Sequence, residues 1–413
     1  MYYLSIFPDV HIWRNRDVVL FYDAANNKQL YFNLDNDSRP IIDAFLDIRN
    51  LYCVQLQERY CHLPFVERIV AEKMGAVVSC QETDRPTVIP PIYYLENRLN
   101  DGIEKNSGLI LDLVREITIH LEKGCNCACA HCNSLFKQTN SCTWTNHSFS
   151  NVGIRQIASK ASGLRNLKKL NLAITKVDTS VLDEIRILTL PGILSCYYID
   201  WKNASREVVT SLLEVNNSAL IKIIINISEV SSVQLDEILS LQSAFCESII
   251  LVIVITSESD LKRVEELMTM KPTPQNIEIK CFYTGKNKEL IREQYLLNNK
   301  ELQELSADHN TIFGNRELDF ALFGVFVIYP DGTIRLNENT EVIGSIEDDW
   351  TKILNDAINK PNPWLMIRGK TKPCSNCIYR DLCPPIRNLE LYMGDKLACA
   401  DYYKTLPKQD TAN

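Results

Sequence analysis

Apolar and polar residues alternate along the middle of the chain in a way that predicts six β-strands separated by amphipathic helices. The strand-like apolar segments are residues 116–121, 170–174, 194–201, 220–227, 248–256 and 277–282. Helical periodicity occupies residues 152–163, 179–188, 205–213, 233–245 and 260–268. This alternation indicates parallel strands joined by right-handed crossovers, either as an open sheet or as a partial barrel.

The two ends of the chain have different patterns. The first 80 residues predict a small winged-helix-like unit of two or three strands followed by helices, at residues 2–7, 18–23, 29–33, 38–47 and 65–72. Residues 81–106 contain prolines among polar residues, which is typical of a connector. From residue 286 onward, a helix, a strand-turn-strand around residues 329–332, a second helix and a cysteine-rich tail predict a third domain.

The composition and charge of the chain mainly exclude certain classes of protein and partner. The 413 residues are 46% apolar, which favours two or three globular domains. The formal net charge of −8 argues against a nucleic-acid partner, because affinity for phosphates requires clustered Lys and Arg. The first residues do not have the pattern of a signal peptide, and the longest apolar stretch, residues 249–255, is too short to span a bilayer. We therefore expect a cytoplasmic protein with no membrane partner.

Fifteen cysteines require an explanation other than disulfides in a reducing cytosol, and metal binding is the leading one. Six of them are isolated in the sequence and are expected to be small buried apolar residues: Cys53, Cys61, Cys80, Cys196, Cys246 and Cys281. The six histidines form no metal-ligand spacing, and no Ser/His/Asp order is apparent. The sequence therefore identifies no catalytic side chain.

Cys125, Cys129 and Cys132 form a C-x3-C-x2-C pattern directly after the first predicted strand of the middle region. Three thiolates in a tight loop can bind three irons of a 4Fe-4S cluster and leave the fourth iron open. In parallel strand-helix folds, functional loops lie at the carboxyl ends of strands, which is where this pattern is expected. The alternatives are a structural zinc site and chance spacing in a cysteine-rich stretch, with Cys127 and Cys142 as possible substitute ligands.

A second cysteine set lies in the tail. Cys374, Cys377 and Cys383 form a C-x2-C-x5-C pattern followed by two prolines, and Cys399 comes sixteen residues later. Four thiolates can complete a closed metal site. Their spacing is compatible with a zinc ribbon as well as with an iron-sulfur cluster.

The segment from Cys125 to Cys132, with Asn126 and His131 between its cysteines, resembles the signature loop of radical S-adenosylmethionine enzymes. The six strand-helix units match the partial barrel of that family. The resemblance implies that Cys125, Cys129 and Cys132 hold a site-differentiated 4Fe-4S cluster. It also implies that the open iron binds the methionyl group of S-adenosyl-L-methionine, that His131 lies near the adenine, and that a flavodoxin or ferredoxin donates electrons.

The tail resembles the SPASM domain of peptide-modifying radical enzymes, because its cysteines follow an Ile-x-Pro-Asp-Gly turn at residues 328–332. That domain usually has seven cysteines and two auxiliary clusters, whereas here Asn337 lies near one expected ligand position and Arg387 occupies another, the second position of a C-x3-C pattern that starts at Cys383. The resemblance therefore implies one auxiliary 4Fe-4S cluster, with the ligands Cys374, Cys377, Cys383 and Cys399.

The N-terminal unit resembles, in topology, the PqqD-like domains that bind the leaders of ribosomally synthesised peptides by adding a strand to a sheet edge. A precursor peptide is the partner that this resemblance implies. The alternative is a small packing domain that has no partner.

The second predicted strand departs from the radical-enzyme pattern. The family has a Gly-Gly-Glu motif at its end, but residues 170–178 contain no glycine. Asn171 is our candidate for cofactor binding in its place, with Thr175 and Asp178 as further polar groups. This departure resembles the degenerate, pseudo-radical branch found with glycine-leader peptide systems in Bacteroidales.

Three functional hypotheses follow. The first is an enzyme that modifies a ribosomally synthesised precursor peptide through a 5′-deoxyadenosyl radical. The second is a noncatalytic protein that binds a cluster and a precursor peptide for a partner enzyme or transporter, and the third is a zinc-only scaffold. The expected fold class is α/β, a partial (β/α)6 TIM-like barrel with a winged-helix-like domain before it and a Cys-rich SPASM-like domain after it. The expected limits are residues 1–85, a linker at 86–112, the barrel at 113–285 and the SPASM-like domain at 286–413.

Overall fold

The computed structural model describes residues 1–91, 107–121, 137–138, 149–269, 276–295, 297–319, 321–372 and 374–392. Within these ranges, fifteen strands form three sheets. None of the helices in these ranges is long and apolar enough to cross a membrane.

Six parallel strands lie side by side in chain order and form most of the largest sheet. They are β7 (Glu116–His120), β8 (Lys169–Ile174), β9 (Leu194–Asp200), β10 (Leu220–Asn226), β11 (Ile249–Ile255) and β12 (Ile277–Cys281). Five helices lie between them in sequence: α3 (Asn151–Ser162), α4 (Thr179–Leu188), α5 (Arg206–Val215), α6 (Ser232–Ala244) and α7 (Glu258–Thr269). The six strands predicted for this region are confirmed, each end within one residue. The prediction of a mixed α/β chain with a large parallel sheet is confirmed as well.

The helices begin where the sequence provides a capping side chain. A serine hydroxyl or aspartate carboxylate accepts a hydrogen bond from a backbone N–H of the first turn, which satisfies a donor that the helix leaves open. These residues are Ser150, Asp178, Ser205 and Ser231. Isoleucine, leucine and valine side chains from one face of the sheet pack against the apolar sides of these helices and form the largest core. The other face, which we name the inner face, is free of these helices and carries many polar residues.

The C-terminal region extends the same sheet. Strand β13 (Val325–Ile328) pairs in parallel with β7, and β14 (Thr333–Arg335) and β15 (Val342–Ser345) follow in antiparallel order. The chain enters β13 through Gly324, whose φ of +73° favours glycine and whose carbonyl accepts the N–H groups of Arg115 and Glu116. The sheet therefore runs continuously across the boundary expected at residue 285, and that domain boundary remains a prediction.

The N-terminal unit contains two antiparallel sheets and two helices. One sheet has β1 (Tyr2–Ile6) between β5 (Cys53–Leu56) and β6 (Gly75–Ser79), and the other is a meander of β2 (Val10–Arg14), β3 (Val18–Asp23) and β4 (Lys28–Asn33). Helices α1 (Ser38–Leu46) and α2 (Pro64–Ala71) contribute to the core between these sheets. Strands β2, β5 and β6 are absent from the sequence-based prediction, and the winged-helix-like assignment remains a prediction.

The meander also packs against the C-terminal region, through a core that Trp13 and Tyr22 share with Ile312 and Tyr379. The Trp13 indole N–H donates to the Asp381 carboxylate at 2.6 Å. The helices of this C-terminal region are α8 (Lys288–Tyr295), α9 (Asn299–Gln303), α10 (His309–Glu317), α11 (Trp350–Ile358) and α12 (Asn388–Tyr392). The first and last parts of the described chain are thus in direct contact.

Candidate functional site

The cysteine loop follows the carboxyl end of β7. The predicted ligands Cys125, Cys129 and Cys132, and also His131, lie outside the described residues, so their arrangement remains a prediction. The described chain ends at Leu121, directly after β7, and begins again at Lys137. Leu121 and Lys137 are thus the described residues nearest to the cysteine pattern in sequence.

Lys137 and Gln138 hold the returning chain by two pairs of hydrogen bonds. The Gln138 amide donates to the Tyr283 carbonyl at 2.8 Å and accepts the Tyr283 N–H at 2.7 Å. The Asn339 amide likewise accepts the Lys137 N–H at 2.7 Å and donates to its carbonyl at 2.9 Å. Tyr283 follows β12 and Asn339 follows β14. Lys137 and Gln138 therefore connect the last of the six consecutive parallel strands to the C-terminal hairpin.

His120, the last residue of β7, is 1% exposed and stacks on Tyr329, with ring centroids 4.7 Å apart and 6° between the planes. The Lys137 ammonium donates to the Tyr329 hydroxyl at 2.7 Å. Burial, together with the charge of Lys137, holds the pKa of His120 well below its ordinary value, so this imidazole is neutral. Neither ring nitrogen of His120 has a hydrogen-bond partner among the described residues.

A cavity of about 610 Å³ opens on the inner face. Its walls include Glu116 and Thr118 of β7, Glu278 and Lys280 of β12, and residues that follow β14. In a flat sheet, β7 and β12 would lie five strand spacings apart, about 24 Å. A single cavity of this volume that touches both strands requires the sheet to curl strongly. Closure into a partial barrel remains a prediction.

Asn171, the predicted cofactor-binding residue, lies within β8 on the inner face and is fully buried. Its amide nitrogen donates to the Glu116 carboxylate and, at 3.3 Å, to the Thr118 hydroxyl. Its carbonyl oxygen is buried and has no partner in the described part of the chain. An unpartnered buried acceptor is costly, so this oxygen is suited to a donor from a ligand. The cofactor-binding assignment itself remains a prediction.

Three of the four predicted tail ligands are described. Cys374 and Cys383 are buried and Cys377 is partly buried. Burial raises the pKa of Cys377 to about 11, with the neighbouring Cys374 adding to the effect, and burial also raises that of Cys383. The Arg368 guanidinium lies 3.6 Å from the Cys374 sulfur and opposes these shifts.

Buried thiols with such pKa values need a strong positive charge nearby to become thiolates, and a bound metal supplies one. The donor type therefore fits zinc or an iron-sulfur cluster. Among the described side chains, however, no group of three or more His, Cys, Asp or Glu residues is arranged to hold a metal ion. Cys399, the fourth predicted ligand, lies outside the described residues. The auxiliary site remains a prediction.

The cysteines expected to be simple buried residues divide into three groups. Cys53, Cys196 and Cys281 are buried as predicted, whereas Cys61 and Cys80 are only partly buried. Cys246 is exposed, so the prediction was wrong for it. The reason is local: this residue lies in the surface turn between α6 and β11.

Asp319, just before the cavity-lining residues Ala321 and Leu322, should make stability depend on pH. Burial raises its pKa from 3.8 to about 6, although its carboxylate accepts the N–H groups of both residues. An acid whose pKa is raised on folding destabilises the fold as pH rises from the unfolded value to the folded one. We expect about 2 kcal/mol to be lost through this group between pH 4 and pH 6, out of about 3 kcal/mol over the whole titration.

Asp319→Asn keeps the acceptor oxygen and removes the titration. Urea unfolding at pH 4 and pH 7 should therefore show a smaller loss of stability for this variant than for wild type. The exposed Asp348→Asn serves as the control. Equal losses in wild type and Asp319→Asn would contradict the prediction.

Comparisons with known proteins give remote structural similarity only. No family model matches the chain, and no curated protein matches it. The solved structure "Native anSMEcpe with bound AdoMet" is 12% identical with a TM-score of 0.48, over 70% of this chain and 95% of that chain. A solved structure of hexahistidine-tagged anSMEcpe with bound AdoMet is 13% identical with a TM-score of 0.48, over 70% of this chain and 91% of that chain. No shared activity follows from similarity at this level.

Proposed function

We propose that the chain is a radical S-adenosylmethionine iron-sulfur protein that modifies a ribosomally synthesised precursor peptide. The observation that carries this proposal is the position of the C-x3-C-x2-C pattern. It follows β7, the first of six parallel strands in chain order, at the sheet edge where strand-helix folds place their functional loops. With S-adenosylmethionine bound, a reduced cluster would supply a 5′-deoxyadenosyl radical that removes a hydrogen atom from the peptide.

Within this proposal, the chain's own residues bind and position. Cys125, Cys129 and Cys132 would hold the cluster next to the carboxyl end of β7. The Asn171 carbonyl oxygen would accept a hydrogen bond from the cofactor, since it is buried and lacks a partner among the described residues. Lys137 and Gln138 would keep the returning end of the cysteine loop against β12. The tail cysteines would hold an auxiliary cluster.

The N-terminal unit would bind the leader of the precursor peptide. In the described chain, β4 pairs with β3 only, so its second side is an open edge to which a peptide strand could add. The Gln29 amide of β4 donates to the Leu305 carbonyl at 2.9 Å, which fixes this strand against the C-terminal region. A peptide added to β4 would thus be held at a constant position relative to the sheet.

The proposal is tested by following 5′-deoxyadenosine in anaerobic, iron-reconstituted, dithionite-reduced protein that is incubated with S-adenosylmethionine. We expect product from wild type and none from the variant Cys125→Ala/Cys129→Ala/Cys132→Ala. A matched control replaces three other cysteines, Cys61, Cys80 and Cys246, none of which is buried. This control should retain the product, and two 4Fe-4S clusters require about eight irons per chain.

The second candidate is a noncatalytic protein that binds a cluster and a precursor peptide for a partner enzyme or transporter. It is favoured by the polar groups within and after β8, which are already engaged by other residues of the chain. Asp178 caps α4 by accepting the Val181 N–H at 3.2 Å, and the Asn171 amide nitrogen is bound to Glu116 and Thr118. A full iron complement without 5′-deoxyadenosine would establish this candidate instead.

A further inference from the structure

The part of the chain around the tail cysteines is basic, although the whole chain is acidic. The sequence has 44 basic and 52 acidic residues, but residues 357–389 contain one acid, Asp381, and six basic residues: Lys360, Arg368, Lys370, Lys372, Arg380 and Arg387. Asp381 is 2% exposed and accepts the Trp13 indole N–H, so it is engaged in the interior. Arg368 is buried and paired with Glu390. The other five cations of this segment are exposed or partly exposed.

Three of these cations lie next to the tail cysteines, and we name them the basic surface: Lys370, Lys372 and Arg380. The two lysines flank Thr371, whose carbonyl accepts the Ser375 N–H at 2.9 Å, so the chain turns tightly between the lysines and the cysteines. The Arg380 guanidinium donates to the Cys377 carbonyl at 3.2 Å. The basic surface and the cysteine set therefore belong to one compact part of the tail.

Neighbouring acids do not neutralise the basic surface. Lys370 and Lys372 are exposed, and neither forms an ion pair with a described residue. The Arg380 side chain is 24% exposed, and its Nε lies 4.0 Å from the Asp381 carboxylate, which is also 3.9 Å from the Arg316 guanidinium. Helix α10, which contacts residues 368–370, ends with Arg316 and Glu317, one charge of each sign. The local charge therefore remains positive when these neighbours are included.

We propose that the basic surface docks an acidic electron-carrier protein, such as a flavodoxin, over Cys377. Opposite charges steer such a partner toward the surface and orient it there. Cys374 and Cys383 are buried, whereas Cys377 is only partly buried, so Cys377 is the described tail cysteine that a docked protein approaches most closely. The choice of an electron carrier rests on the proposed function, which assigns an iron-sulfur cluster to these cysteines.

The size of the basic surface favours a transient protein partner over a nucleic acid. Weak electron-transfer complexes bury small interfaces, so a few charges are enough to orient them. Affinity for a nucleic acid requires many phosphate contacts, and the excess of acids in the rest of the chain repels a long polyanion. The three cations do not line the cavity on the inner face, so docking leaves that cavity free.

The test measures the binding of a fluorescently labelled flavodoxin to the full, iron-reconstituted chain by anisotropy at low ionic strength. Lys370→Gln/Lys372→Gln should weaken binding about tenfold, and added salt should reduce this difference. Lys370→Arg/Lys372→Arg keeps both charges and should bind like wild type, which separates the effect of charge from that of folding. The matched control is Lys168→Gln/Lys262→Gln, because both lysines are exposed and form no ion pair with a described residue. It should also bind like wild type.

A second arm separates this inference from the proposed function. Dithionite is a small reductant that needs no docking, so it should support equal 5′-deoxyadenosine formation in wild type and in Lys370→Gln/Lys372→Gln. Reduced flavodoxin as the sole reductant, at a concentration below its dissociation constant, should support about tenfold slower formation in the variant. Absence of product with dithionite in every chain would overturn the proposed function alone, because binding is measured independently.

Two results would overturn the docking proposal. The first is equal flavodoxin affinity in wild type and in Lys370→Gln/Lys372→Gln, or no flavodoxin binding by wild type. The second is tighter binding of a single-stranded oligothymidylate than of flavodoxin, which would assign the basic surface to a nucleic acid instead.

Discussion

Replacing Arg368 with methionine is expected to lower the free energy of unfolding by about 3–5 kcal/mol. The guanidinium is 7% exposed and binds the Glu390 carboxylate through two nitrogens, at 2.9 and 3.0 Å. It also donates to the Pro384 carbonyl at 2.5 Å and lies beside the Cys374 sulfur. Methionine preserves much of the volume but leaves a partly buried carboxylate and a carbonyl without the Arg368 donor, and this loss dominates.

Urea unfolding of the full chain measures this effect, and two further variants identify its cause. Arg368→Met/Glu390→Met removes both charges, so it should recover part of the lost stability. Arg368→Lys keeps the charge without the two-nitrogen contact and should be intermediate. A loss below about 1 kcal/mol for Arg368→Met, within the range of exposed ion pairs, would show that Arg368 does not hold the tail together.

Acidification is expected to weaken the contact between the N-terminal unit and the C-terminal region, because His11 is neutral in the fold. Burial, with smaller effects of His309 and Arg316, lowers its pKa from 6.5 to about 3. The imidazole stacks on Trp13 and shares a 2.8 Å hydrogen bond with His309 of α10. A base with a lowered pKa in the fold costs stability as pH falls from 6.5 toward 3, since the unfolded chain binds the proton first. The full loss is about 5 kcal/mol, with about 2 kcal/mol of it between pH 6.5 and pH 5.

His11→Phe keeps a stacked ring without the titration. Its loss of unfolding free energy between pH 6.5 and pH 5 should be about 2 kcal/mol smaller than that of wild type. His62→Phe, in which the original side chain is 82% exposed, is the control and should behave like wild type. Hydrogen exchange should show the amides of β2 and α10 losing protection together in wild type at pH 5. An unchanged pH dependence in His11→Phe would contradict this assignment.

The central strands could be predicted closely because each contains a run of apolar residues, and a strand that is buried on both faces is apolar throughout. The segment Ile249–Ile255 is the clearest case. The N-terminal unit was harder, since β2 contains a histidine and an arginine and β5 has only four residues. The pairing of β13 with β7 could not be predicted, because a strand's sequence does not specify a distant partner.

For the candidate site, cysteine spacing predicts two sets of metal ligands, and both sets remain predictions. The charged inner face was missed, although β12 alternates apolar residues with Glu278 and Lys280. An alternation with a period of two predicts that one face of the strand is polar. Interpreting the segment only as a buried strand leaves this signal out. That Glu338 and Lys280 line the same cavity depends on how the sheet curls, and local sequence does not encode this.

The pairing of β13 with β7 also constrains synthesis of the protein. The paired residues are roughly 200 positions apart, so one side of β7 stays open until the ribosome has made nearly the whole chain. During that interval the nascent sheet has an unpaired edge, which is a site for aggregation or for chaperone binding. Premature termination before Val325 should therefore yield an aggregation-prone fragment even though all six parallel strands are complete.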